Sequence, residues 1–206
     1  MGLLAGVLKP SDGRIALQIS EGQSPLGARR KEYLRRVSWV PQAFSPVGGL
    51  SVLEHVEYSG WLKGMPAREA KLRAPEALKL AGLEDLAVRP AASLSGGQTQ
   101  RLGLAGAYVH DADVLLLDEP TVGLDMAQRE RFTEVLRAGG ADRITVMSTH
   151  DTAGIESFVD RVVVMRRGAV AFDGTLDEFL IRAPESAGSD QQRLTAAYVS
   201  VMEGDF

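Results

Sequence analysis

The sequence predicts an α/β fold, a mainly parallel sheet with flanking helices and a helical insert. Three observations carry that expectation. Val114, Leu115, Leu116 and Leu117 form an unbroken apolar run, the composition of a strand buried on both faces, as in parallel sheets. The run stops at Asp118-Glu119-Pro120; adjacent acids are costly to bury unpaired, so they belong at the strand's carboxyl end, where open α/β sheets bind ligands. Helical patterns then alternate with strand-like ones, and a helix-rich block interrupts them over residues 51–93.

At 206 residues the chain is long enough for one well-buried domain. Lys and Arg total 23 against 27 Asp and Glu, a net charge of -4, which gives no footprint for nucleic acid. No cysteine is present, so disulfides and thiolate metal sites are excluded. No run of about 18 apolar residues occurs, which excludes a membrane-spanning helix. Residues 1–8 are apolar but lack the basic start and small-residue cleavage site of a signal peptide.

In chain order, residues 1–10 read as the end of a helix that runs into a turn at 10–13. Residues 14–19 alternate like a strand, 22–28 read as a Gly-, Pro- and Ser-rich loop, and 35–40 as a second strand, with Trp39 in the core. Pro41-Gln42 ends it. Ser51 and Glu54 fit a capping box that opens a helix carrying Leu53, Val56 and Trp61 and stopping near 64–66. A second helix is expected from 67 to 81, closed by Gly82. Pro75 falls inside it, where its ring meets the Lys71 carbonyl and should kink or split the helix.

Ser95 and Gln98 fit another capping box. Gly96 and Gly97 are not explained by it, since each glycine in a helical turn costs about 1 kcal/mol against alanine. Either the turn packs closely, or an anion approaches bare backbone at the positive helix start. Asp118 is placed to hold Mg2+, directly or through water, and Glu119 to orient or deprotonate an attacking water. Residues 127–137 read as a helix with Phe132, Val135 and Leu136 on one face, ended by Gly139-Gly140. Residues 144–148 read as a buried strand, followed by Thr149-His150-Asp151. Residues 162–165 and 169–172, joined through 166–168, read as an antiparallel hairpin. After a loop-like stretch at 183–192, residues 193–202 repeat apolar positions at Leu194, Ala197, Tyr198 and Val201, an amphipathic helix. His55 and His110 lack metal-ligand spacing and are read as structural or exposed.

LSGGQ at 94–98, VLLLDEP at 114–120 and GLD at 123–125 resemble the signature, Walker B and D-loop of ABC transporter ATP-binding subunits, whose fold is P-loop NTPase-like. The resemblance implies a single truncated domain over 1–206, with a helical subdomain over about 51–93 and a C-terminal tail over about 183–206. It implies ATP and Mg2+ as cofactors. Gln42 would be the Q-loop residue sensing Mg2+ and the γ-phosphate, so that Asp118 and Gln42 form the metal set. Glu119 would be catalytic with His150, the H-loop imidazole on the γ-phosphate. Subunits of this family meet head to tail as homo- or heterodimers. Ser95, Gly96, Gly97 and Gln98 would therefore act on the partner's nucleotide, and Asp125 would link the two sites. A separate transmembrane permease would hold the subunit at the cytoplasmic face of the membrane, with no nucleic acid as partner. The tail and residues 57–66 most resemble ATPases of export systems.

In the family the segment like residues 3–15 follows a G-x-x-x-x-G-K-[ST] phosphate loop; no such motif occurs in these 206 residues, nor does the strand before it. A misplaced start or a truncated gene is the leading expectation. Two other readings stand beside the transport ATPase: a non-hydrolysing subunit that completes a partner's site, and a soluble ABC-type ATPase with no membrane partner. Charge-assisted hydrogen bonds contribute roughly 1.5–3 kcal/mol each, so three absent ones cost about 4–9 kcal/mol if they add. That is roughly a thousand- to a millionfold in affinity. The polypeptide as given is expected to show no saturable ATP binding at micromolar nucleotide in calorimetry; micromolar binding without a partner would contradict this expectation.

Overall fold

The computed structural model describes residues 1–19, 22–25, 27, 29–140, 143–150, 158–184 and 187–203. They form two compact units, Met1–Thr149 and His150–Phe206.

The first unit is built on a parallel sheet of three strands in the order β3-β4-β5: β3 (Val37–Val40), β4 (Val114–Asp118) and β5 (Ile144–Ser148). The period-2 alternation of a strand divides β4 between two cores. Leu115 and Leu117 point to a large helical layer, packing with Val52, Val56, Leu78, Leu102, Leu104 and Phe132. Val114 and Leu116 point the other way, to Ala5, Leu17, Tyr33 and Val37. The helical layer consists of α2 (Val52–Leu62), α3 (Ala67–Leu80), α4 (Gly96–Tyr108) and α5 (Met126–Ala138). The opposite face is covered by the N-terminal turn, by β1 (Ala16–Ile19) and by α1 (Arg30–Arg36), where Tyr33 Oη donates to the Leu4 carbonyl at 2.6 Å.

Several expectations hold. Both expected capping boxes are present, at Ser51–Glu54 and Ser95–Gln98. Trp39 packs against the core under β1 and α1. His55 is buried, its Nδ1 accepting from Val47 N at 3.3 Å and its ring meeting Phe44 edge-on.

Other expectations are corrected. Residues 1–8, expected as the end of a helix, instead form hydrogen-bonded turns that stay close to the chain start, with Ala5 N bonded to Met1 O, Val7 N and Leu8 N to Gly2 O, and Gly6 at φ 70°. Residues 22–25, read as loop from composition, form β2 (Gly22–Pro25), antiparallel to β1; main-chain pairing outweighs weak strand propensity. The strand expected over 35–40 begins only at Val37, because Arg35 and Arg36 complete α1. Pro75 does not split α3, which runs unbroken from Ala67 to Leu80. Lys71 and Pro75 both lie on its exposed side, where water can satisfy the carbonyl that proline leaves without a donor. Trp61 stands out of the apolar face of α2, 55% exposed and stacked on Tyr58. β5 is not a buried strand: Ile144 is 52% exposed, since among the described residues β5 pairs only with β4.

In the second unit, β6 (Arg161–Arg166) and β7 (Ala169–Thr175) form the expected hairpin. Arg167 and Gly168 both have positive φ, at 50° and 81°, the two-residue turn that matches strand twist. Thr175 caps α6 (Leu176–Leu180), and α7 (Asp190–Glu203) starts earlier than the apolar repeat suggested because Ser189 and Gln192 cap it reciprocally. Leu194, Ala197 and Val201 are buried with Val164, Phe172 and Phe179, while Tyr198 remains largely exposed. Asp151 and parts of the expected stretches 22–28 and 183–192 lie outside the described residues.

His110 gives the fold a pH dependence. Its Nδ1 lies 3.1 Å from the Gly106 carbonyl, a pairing that needs the proton on Nδ1. Burial first, then the charges of Lys63 and Arg143, hold the imidazole down at about 4, against opposing effects of the Gly106 bond and Asp111. An unfolded histidine titrates near 6.5, so between the two values the unfolded chain binds more protons and stability falls as pH falls. The contribution is complete above about pH 6.5 and is lost as pH falls toward 4. The urea midpoint of the wild-type chain is therefore expected to drop more steeply across that window than that of His110→Gln; parallel slopes would contradict a neutral, half-buried His110.

Candidate functional site

β3 and β4 run in parallel register, Val40 beside Leu117, and β4 and β5 likewise, Asp118 beside Ser148. Register alone therefore gathers Gln42, Asp118, Glu119 and Ser148 at the carboxyl edge of one sheet. Gln42 is exposed, two residues beyond β3, and Asp118 and Glu119 are half-buried. Ser148 Oγ donates to Asp118 Oδ1 at 2.7 Å. Glu119 N in turn donates to Ser148 O at 3.1 Å and to Ser148 Oγ at 3.2 Å. Glu119 sits in the left-handed region at φ 48°, a strain on the order of 1–3 kcal/mol for a residue with a Cβ, held by its surroundings.

The Pro120 turn that follows is closed by Val122 N to Glu119 O and Leu124 N to Thr121 O, with Gly123 at φ 77°. It delivers Asp125, which caps α5: Oδ1 accepts from Gln128 N at 2.8 Å, and Gln128 Oε1 accepts from Asp125 N at 3.3 Å. The D-x-x-Q spacing was legible by the rule applied to Ser95 and Gln98, but the sequence reading missed it. It also missed Ser148, whose partnership with Asp118 is set by strand register and leaves no local signal.

At the start of α4, Ser95 Oγ accepts from Gln98 N at 3.4 Å and Gln98 Oε1 accepts from Ser95 N at 2.9 Å. By helix geometry the Gly96 and Gly97 N–H groups have no acceptor within the helix. The two glycines prove to differ. A methyl at Gly97 would meet Gln128 Cγ and Cδ at 3.2 Å, whereas nothing lies within 4 Å of one at Gly96. The packing reading thus accounts for Gly97, and the anion reading is left to Gly96, which is exposed beside exposed Ser95. His150 is exposed and is the first residue of the second unit.

Among the described residues no three or more His, Cys, Asp or Glu side chains group as a metal cage. A few hard oxygen donors at a sheet edge instead suit Mg2+, which keeps waters and takes phosphate oxygens rather than a full protein shell. Asp118 and Gln42 fit that chemistry. No helix among the described residues is long and apolar enough to cross a membrane.

Acids at the carboxyl edge of a parallel sheet flanked by helices mark an α/β protein of the kind that binds ligands at that edge. Residues 1–122 match the family described as ABC transporter, and the chain belongs to that family. It is 39% identical over 176 residues to the cobalt import ATP-binding protein of Rhodobacter capsulatus, covering 83% of this chain and 61% of that protein. It is 37% identical over 187 residues to the Fe(3+) ions import ATP-binding protein of Rhizobium etli, covering 90% of this chain and 51% of that protein. The chain thus spans between half and two thirds of the length of these relatives. It also matches the dimeric structure of an ATP-binding cassette in a post-hydrolysis state bound to ADP and Pi, at 29% identity and a TM-score of 0.70, over 85% of this chain and 78% of that one.

The difference between the glycines is measurable. Gly96→Ala is expected to stabilise the chain by up to about 1 kcal/mol, the helix propensity difference. Gly97→Ala should give no such gain, because its methyl displaces Gln128 and loosens the cap of α5. Equal shifts in urea unfolding would contradict close packing at Gly97.

Proposed function

We propose that this chain is the ATP-binding subunit of a membrane transporter, hydrolysing ATP in a head-to-tail dimer of ATPase domains docked on a separate permease at the cytoplasmic face. The observation that carries the reading is the Asp118-Glu119 pair, held at the sheet edge by Ser148 while the α4 start lies open. Residues 1–206 act as one domain of this class, with 51–93 as its helical block. Mg2+, when bound, would neutralise phosphate charge. Asp118 and Gln42 hold it, and Glu119 orients the attacking water and takes its proton on a carboxylate oxygen. His150 donates to the terminal phosphate. Ser95, Gly96, Gly97 and Gln98 present donors to the partner's nucleotide, and Asp125 joins the two sites through the α5 start.

The tail and residues 57–66 favour an export system, whereas the relatives named for cobalt and iron are import proteins; the side of native membrane vesicles from which ATP-dependent flux starts decides between them. A second reading draws on the exposed start of α4 alone: the chain lends that start to a partner's ATP and hydrolyses none of its own.

Turnover of the complex purified through this chain from its native membranes separates the two. Glu119→Gln is expected to lower kcat at least about 100-fold with little change in KM, the size of a lost general base. If Glu119→Gln leaves turnover intact while Gly96→Asp abolishes it, the chain only completes its partner's site. If neither substitution matters, both readings fail.

A further inference from the structure

We propose that Ser148 is a positioning residue for the acid pair, setting Asp118 and Glu119 together through one hydroxyl; this rests on the ATPase reading above. The hydroxyl both donates and accepts. Its single proton goes to Asp118 Oδ1 at 2.7 Å, and a lone pair accepts Glu119 N–H at 3.2 Å, an assignment that a hydroxyl's donor and acceptor inventory allows in only this sense. The Ser148 carbonyl takes the same N–H at 3.1 Å. The Glu119 N–H is thereby clasped between two oxygens of Ser148, with the Glu119 backbone in its left-handed state, φ 48°. The β4–β5 ladder, in which Asp118 and Ser148 are paired, fixes where the clasp sits.

The consequence is directional. Asp118 receives its donor from β5, the strand that leads within two residues to His150. A shift of β5 along its axis therefore moves the carboxylate and the Glu119 turn together. Alanine at 148 removes both side-chain bonds and leaves the carbonyl; threonine keeps the hydroxyl. Neither substitution changes the strand's apolar residues.

The test uses the full chain and its Ser148→Ala and Ser148→Thr variants. Amide exchange followed by NMR should rise at Glu119 by about tenfold in Ser148→Ala, the effect of one lost hydrogen bond, while amides of α2 and α3 stay unchanged and threonine restores the wild-type rate. Millimolar Mn2+ with ATP, read as paramagnetic broadening, should centre on Asp118 in the wild type and weaken in Ser148→Ala but not in Ser148→Thr. Unchanged exchange at Glu119, or exchange raised equally throughout the chain, overturns the positioning role. Local loosening at Glu119 without broadening at Asp118 in the wild type supports the clasp and overturns the metal role given to Asp118.

Discussion

A strand buried on both faces cannot carry charge along its length, and that constraint organises the first unit. Leu115 and Leu117 are fully enclosed by the helical layer, and Leu116 by the opposite core. Removing one such leucine side chain typically costs about 2–5 kcal/mol, because the cavity collapses only in part. Polar chemistry is therefore confined to the strand's end, where Asp118 emerges beside Ser148 on one side and near the exit of β3 on the other. The site is where the sheet stops being able to exclude water.

Helix starts supply the second theme. α2, α4, α5 and α6 each begin with a reciprocal capping box, which satisfies two backbone donors per helix with short side chains. At α4 and α5 the two starts also touch, Gly97 lying against the Gln128 side chain that completes the cap of Asp125. Anything that draws on the donors at the start of α4 therefore acts close to Asp125, without a further element between them.

Much of this was legible. Apolar runs, capping boxes and the hairpin turn are local, so β4, α2, α4, α5 and the β6–β7 hairpin stood where the residues put them. The Asp-Glu pair was legible because two adjacent acids fit an apolar strand only where it leaves the core and meets water or a ligand. What escaped depends on partners distant in sequence. β2 has the composition of a loop and becomes a strand only by pairing with β1. The exposure of β5 follows from its place at the sheet edge, not from its own apolar residues. Ser148 looks like any serine at the end of a strand until register sets it beside Asp118. The difference between Gly96 and Gly97 needed the position of Gln128, a residue of another helix.

The helical block is tied to both ends of the site by polar bonds as well as by packing. His55 on α2 holds the loop after Gln42, accepting from Val47 N–H while Phe44 meets its ring. Burial lowers its affinity for a proton, which keeps Nδ1 available as an acceptor, since a protonated imidazole has none. Buried Arg101 on α4 donates to the Ala81 and Gly82 carbonyls at 2.7 and 2.9 Å, closing the end of α3. Charge-assisted bonds of this kind are short and directional, and a buried guanidinium that lost them would be left without acceptors at a cost of several kcal/mol. The loop carrying Gln42, the pair α2 and α3, and the start of α4 are thus fastened in series.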